Sequence, residues 1–263
     1  MAYKYKLTLE YDGTNYSGWQ KQNNAKSIQG TLIAAAQKFI GSPADIQGAG
    51  RTDAGVHALE QVAHLESSRK MNPETLRIGL NDNLPSSINI LRVDNAPPRF
   101  HARHHAVSRS YLYLIARRRT AFGKRYVWWI KDNLDFKKMQ RAINVFSGFH
   151  DFSSFADKRM DKDTSTEVNI ESVQMKEFAD IIAARVTGSH FLWKMVRRII
   201  GITVEAGRGK FTSGDIEQMI NSRSDIPAQY TAPPSGLFLE KVLYEGDTLP
   251  EIKPLIYLSD LAK

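Results

Sequence analysis

Gly48-Ala-Gly-Arg-Thr-Asp-Ala-Gly-Val-His57 sets one carboxylate, Asp53, inside a loop lined by glycine and flanked by Arg51. Gly50 and Gly55 stand on either side of Asp53. Glycine reaches φ > 0 without steric cost and lets a flat ligand approach the backbone closely. An aspartate in such a loop is ordinarily a turn residue or a helix cap, so a chemical role has to be argued from its surroundings. The phosphate-cradling motifs do not fit. The glycine spacing is G-x-G-x-x-x-x-G where a dinucleotide fold needs G-x-G-x-x-G, and no Lys-Ser/Thr pair follows for a P-loop.

Outward from that loop the chain alternates strand and helix signals. A short strand over residues 45–48 leads in, and strands over residues 61–66 and 88–93 follow, separated by a helix starting near Asn72-Pro73. Before the loop, Tyr5, Leu7, Leu9 and Tyr11 alternate with Lys6, Thr8 and Glu10, the period of a half-buried strand. Ile28, Leu32, Ala35, Ala36 and Phe39 then recur at helical spacing, with Ser27 placed as N-cap and Gly41 just past the end. In the second half, Asp135 is placed to cap a helix with Phe136, Met139, Ile143 and Phe146 on its inner face, ending at Gly148. Strands are predicted over residues 168–176, 181–187 and 237–244, a helix over residues 191–206, and a further helix start at Thr212-x-x-Asp215. No strict βαβ rhythm appears, so the pattern predicts α+β with a mixed or antiparallel sheet.

Composition narrows the partner. Lys and Arg outnumber Asp and Glu by 36 to 28, a net charge of +8, which favours a polyanion through counterion release. The chain has no cysteine, which excludes a disulfide, a thiolate nucleophile and any cysteine-based metal site. Its apolar runs are far too short to span a membrane, and Met1-Ala-Tyr-Lys-Tyr-Lys alternates where a signal segment would be apolar. A cytoplasmic protein is expected.

Two further stretches hold residues suited to chemistry. In Arg109-Ser-Tyr-Leu-Tyr-Leu-Ile115, strand geometry puts Arg109, Tyr111 and Tyr113 on one face and Leu112 and Leu114 on the other. Such a face can present a ring to a base, where stacking contributes about 1–3 kcal/mol. In Phe191 to Gly201, Arg197 and Arg198 lie on opposite flanks of an apolar stripe, and periodicity does not choose between them. Asp12, Asp151 and Asp157 read as turn residues or caps. Arg117-Arg118-Arg119 reads as a hairpin tip, and residues 158–166, with Lys158, Arg159 and Lys162, as a loop; both are candidates for phosphate contacts.

Gly50 to His57 is similar, residue for residue, to the signature of the TruA family of tRNA pseudouridine synthases. The likeness continues in family order through Tyr11-Asp-Gly-Thr-Asn-Tyr-Ser-Gly-Trp-Gln20, Phe100-His-Ala-Arg103, Ser108-Arg-Ser-Tyr-Leu-Tyr113, Asp151-Phe-Ser-Ser-Phe155, Phe191 to Gly201 and Gly236-Leu237. The resemblance implies the pseudouridine synthase fold: two ferredoxin-like halves (residues 1–125 and 126–246, then a tail over residues 247–263) with joined sheets and a central catalytic cleft. It implies conversion of uridine to pseudouridine in the tRNA anticodon stem-loop, without cofactor or metal, by a homodimer. On this pattern Asp53 is the nucleophile, Arg197 its ionic partner, and Tyr111 the residue that meets the base, while Arg51 and Arg109 bind substrate. His57, His64, His101, His104 and His105 then read as RNA-facing or structural. Lys194 and Arg198, around Arg197, are expected to bear on RNA affinity. Two other readings remain: a catalytically silent RNA-binding protein on this fold, and an enzyme of free nucleotides or small glycosides. The second would be insensitive to salt and need no folded RNA; a glycosidase would also need a pair of carboxylates, and only Asp53 has a specialised setting.

Overall fold

The computed structural model describes residues 3–160, 164–253 and 255. The first elements are β1 (Tyr3–Tyr11), α1 (Ile28–Ile40), β2 (Asp45–Gly48), β3 (His57–Ser67), α2 (Pro73–Asn81) and β4 (Ile88–Ala96). Then come β5 (Ser108–Ala116), β6 (Trp128–Trp129), α3 (Phe136–Asn144), β7 (Gly148–Asp151), β8 (Glu167–Phe178) and β9 (Ile181–Gly188). The last are α4 (Met195–Gly207), α5 (Ser213–Asn221), α6 (Ile226–Gln229) and β10 (Leu237–Leu243). They form two compact units: residues 1–107 with 238–248, and residues 108–237 with 249–263. The expected division after residue 125 therefore differs from the observed one, which places β5 in the second unit. Most of β10 belongs to the first. The expected tail over residues 247–263 lies partly outside the described residues.

In the first unit the strands run β4-β1-β3-β10, with β2 also on β3. All pairs are antiparallel except β10 with β3, where Phe238 faces His57 in a parallel register. The alternation predicted for β1 holds at Tyr5, Leu7, Leu9 and Tyr11, which are buried, and at Lys6 and Glu10, which are not; Thr8 departs from it and is buried. Side chains of this kind each contribute about 1.5–3 kcal/mol on full burial. The predicted Ser27 cap accepts from Gly30 N, and Gly41 closes α1 in the left-handed region at φ 72°. Asn72 caps α2 with Pro73 in the first helical turn, a position that needs no amide donor.

In the second unit the order is β5-β9-β8-β7, antiparallel throughout, with β6 parallel to the end of β5. Asp135 caps α3 by accepting from Lys138 N, but α3 ends at Asn144, short of the Gly148 stop expected. Gly148, at φ 107°, instead begins β7. The predicted Thr212 start is a complete capping box with Asp215. The helix expected from Phe191 begins only at Met195, because Lys194 takes the left-handed conformation at φ 63° and turns the chain just before it. Every residue of α4 is buried except Arg197. A helix apolar on most of its circumference belongs inside the core. Gly207 allows α4 to meet α3 closely, since a methyl group there would stand 2.5 Å from Met139 Cγ.

Candidate active site

Asp53 occupies a tight turn in which Val56 N donates to Asp53 O (3.1 Å), with Gly55 next in line at φ 77°. Its side chain is half-buried, and Arg51 on the same loop is exposed. What holds this turn is the earlier block Tyr11 to Gln20, whose part in the site is not evident from residue order. Trp19 N donates to Thr52 O (3.0 Å) and Gly55 N to Tyr16 O (3.3 Å). The buried Tyr11 hydroxyl bonds Thr52 Oγ1 (2.9 Å), and Gly13 N donates to His57 Nδ1 (3.1 Å). Two glycines permit this close packing. A methyl group at Gly13 would lie 2.0 Å from Val56 O, and one at Gly18, where φ is 94°, 2.5 Å from Thr52 O. On the other side Gln61 Nε2 donates to Gly50 O (3.0 Å), and the Trp19 ring fills the space beside Gly48. The carboxylate thus rides on a loop bonded from both sides. The pairing of an Asp-Gly turn with a Gly-Trp step in the Tyr11 to Gln20 block was the available signal.

In the second unit, Tyr111 and Arg109 share a face of β5 and meet the connector that leads into α4. The Tyr111 ring packs edge-on against Phe191, with centroids 5.0 Å apart and planes at 80°. Arg109 Nη1 donates to Ser189 O (3.0 Å). Tyr113 is fully buried and donates from its hydroxyl to Pro233 O (2.8 Å). Burial pushes the phenol pKa well above its ordinary value, opposed by the Arg197 charge. Arg197 Nε in turn donates to Ala232 O (2.7 Å), and Ala232 N donates to Arg197 O (3.0 Å). The Ala232–Pro233 backbone therefore fixes both Arg197 and Tyr113. Gly236, from the predicted Gly236-Leu237 step, sits where a methyl group would be 2.7 Å from Leu114 O.

The structure separates the two candidate arginines that periodicity left open. Arg198 is buried and donates from Nη1 to Ala156 O, with its Nε lacking a partner among the described residues. Burial lowers its pKa, against the pull of Asp157 and Asp225. The expectation that Arg198 bears on RNA affinity is corrected by this burial: its guanidinium braces a loop. Arg197 keeps partial exposure and an anchored Nε.

Asp12, Asp151 and Asp157 do act as turn residues. They accept from Thr14 N (2.9 Å), Ser153 N (2.9 Å) and Arg159 N (3.0 Å) respectively. The histidines are held by the backbone. His64 Nδ1 accepts from Ala102 N (3.2 Å), His101 Nδ1 from Arg103 N (3.2 Å) and His105 Nδ1 from His101 N (2.9 Å).

Arg117-Arg118-Arg119 does not form the hairpin tip expected, because the next strand, β6, runs parallel to β5 and the chain must cross over first. Arg117 pairs with Glu177 (2.8 Å) and Arg118 with Asp180 (2.7 Å), so both serve the β8–β9 turn. Of the other proposed basic loop, Lys158 pairs with Asp225 (2.9 Å) and Arg159 with Asp157 (3.0 Å). Lys162 lies outside the described residues.

Along most of its length the chain is similar to known proteins. The family described as tRNA pseudouridine synthase matches residues 8–105 and 142–245. A tRNA pseudouridine synthase A from Acetivibrio thermocellus is 40% identical over 241 residues, which cover 91% of this chain and 98% of that protein. One from Sinorhizobium fredii is 37% identical over 246 residues, 92% of this chain and 99% of that protein. One from Thermodesulfovibrio yellowstonii is 37% identical over 250 residues, 91% of this chain and 98% of that protein.

Proposed function

The chain belongs to the tRNA pseudouridine synthase family, and from that premise we propose that it isomerises uridine to pseudouridine in the anticodon stem-loop of tRNA, with Asp53 as nucleophile. The reaction breaks the N1–C1′ bond, turns the uracil over and joins C5 to C1′, while C5 loses a proton and N1 gains one. Atoms and electrons balance within the nucleoside, so the chemistry requires no redox partner or energy source. It requires a carboxylate at a defined place, a cation that keeps that carboxylate charged, and a surface for the freed base.

One observation carries the reading: Asp53 sits half-buried on a turn braced by Tyr11, Tyr16 and Trp19, the preorganisation that a nucleophile needs. Arg197 is assigned as the cation. A guanidinium does not lose its charge at working pH. Tyr111 is assigned to the base and is a candidate acceptor for the C5 proton. Arg51 and Arg109 are assigned to the flipped nucleotide and its phosphates. Extruding a stem base costs a few kcal/mol, which such contacts must offset. A homodimer acting in the cytoplasm completes the proposal. No helix among the described residues is long and apolar enough to cross a membrane.

The deciding experiment incubates purified protein with bulk tRNA, without added cofactor, and maps pseudouridine. We expect conversion in the anticodon stem-loop, and loss on the order of 10⁴-fold or more in Asp53→Asn with tRNA binding nearly unchanged. Retained turnover in that variant would reject Asp53 as nucleophile.

A further inference from the structure

Immediately ahead of α4, two cations converge on one buried carboxylate and one exposed aromatic ring. Arg159 grips Asp157 with two parallel hydrogen bonds, Nε to Oδ1 and Nη2 to Oδ2, each 3.0 Å. Lys194 Nζ reaches Asp157 Oδ2 at 2.8 Å. The same two cations lie over the Trp193 ring, the Arg159 guanidinium at 4.5 Å and the Lys194 ammonium at 5.7 Å from its centroid. Asp157 N donates to Trp193 O (3.0 Å), which ties the ring to the carboxylate through the backbone. Arg159 and then Lys194 hold the Asp157 carboxyl far below the ordinary carboxylate range, against its burial. The anion is permanent, and both cations stay fixed by it.

An ion pair built only for stability needs one cation, and a surface pair adds little in any case. Among the described residues two cations share the Asp157 anion, and the three groups together carry a net positive charge. Arg159's side chain remains 66% exposed even while it is bonded. Lys194 is delivered in a left-handed conformation, φ 63°, which a lysine adopts only at a steric cost that glycine would avoid. Trp193, itself 38% exposed, restrains both long side chains from below, which lowers the entropy given up when they bind an anion.

We propose that Arg159 and Lys194 form a preset pair of cations that takes a backbone phosphate of the RNA, with Asp157 and Trp193 as the frame that holds them. This rests on the reading of tRNA as substrate. Phosphate contacts of this kind fix the register of an RNA without reading its bases, and Lys194 stands only three residues ahead of Arg197.

The test measures binding of bulk tRNA to the full chain across a salt series, together with kcat and KM for pseudouridine formation. The variants are Arg159→Gln and Lys194→Gly; the glycine keeps the left-handed backbone while removing the charge. We expect affinity in the double variant to fall about tenfold at low salt, and the slope of log K against log salt to shrink by roughly one for each phosphate no longer neutralised. The rise in KM should exceed any fall in kcat. Unchanged slope and affinity in Lys194→Gly, with an unchanged melting temperature, would overturn the proposal even if Arg159→Gln fails to fold. Wild-type protein that binds tRNA without forming pseudouridine would reject the enzymatic reading instead, while the slopes would still decide whether the pair holds a phosphate.

Discussion

Gly201 lies against the carbonyl of Tyr230 so closely that a methyl group on its Cα would stand 1.4 Å from that oxygen. The approach lets the Tyr230–Ala232 backbone run alongside α4, where Ala232 exchanges two hydrogen bonds with Arg197. Gly201→Ala has no flexible neighbour to displace. We expect a loss of about 2–3 kcal/mol in unfolding free energy, the scale of an overpacked core. Turnover should fall further than stability explains, as Arg197 shifts. Denaturant titration and single-turnover kinetics check both.

Arg197→Lys preserves charge but not geometry. The guanidinium donates to Ala232 O from Nε, and its fork of donors can hold that carbonyl and a second acceptor together; an ammonium on a flexible stem cannot divide itself in this way. A fall in kcat on the order of 10²-fold is expected, with folding stability close to wild type. Activity within about twofold of wild type would remove Arg197 from the chemistry.

Tyr111 separates stacking from proton transfer. Tyr111→Phe keeps the ring packed on Phe191, so tRNA affinity should hold, whereas kcat should fall about 10²-fold if the hydroxyl takes the C5 proton. Tyr111→Ala should weaken binding by about 1–3 kcal/mol. Equilibrium binding and rapid-quench measurements on the same tRNA distinguish the two effects.

Thr52→Val removes the buried partner of the Tyr11 hydroxyl. Losing one hydrogen bond costs about 0.5–1.5 kcal/mol, and the Asp53 turn loses a brace. Lower kcat with unaltered tRNA affinity is expected. A variant as active as wild type would show that the brace is dispensable.

His64 makes stability depend on pH. Burial lowers its pKa below the ordinary value near 6.5, and the neutral ring accepts Ala102 N at Nδ1. A base whose folded pKa is depressed binds more protons when unfolded, so its stabilisation is present above the unfolded pKa and is lost as pH falls through it. The melting temperature should therefore drop between about pH 7 and pH 5. His64→Gln should flatten that dependence. A wild-type melting temperature that does not change over this range would refute the linkage.

Local chemistry was readable from residue order alone. The alternation of β1, the Ser27, Asn72, Asp135 and Thr212 caps, the Gly41 stop and the Asp53 turn all depend on groups within a few residues of one another. The family was readable too, because its motifs are contiguous. Separating Arg197 from Arg198 on physical grounds needed the folded chain. Adjacent residues on a helix carry nearly equal periodic signals, and what buries one and spares the other is Ala156 on one side and Ala232 on the other, each far away in sequence. The same holds for the start of α4 at Met195, set by a left-handed Lys194 tied to Asp157, and for the block Tyr11 to Gln20, whose glycines have meaning only against Thr52 and Val56. Short-range hydrogen bonds and period leave a trace in the order of residues; close approach between distant segments leaves none until the chain has packed.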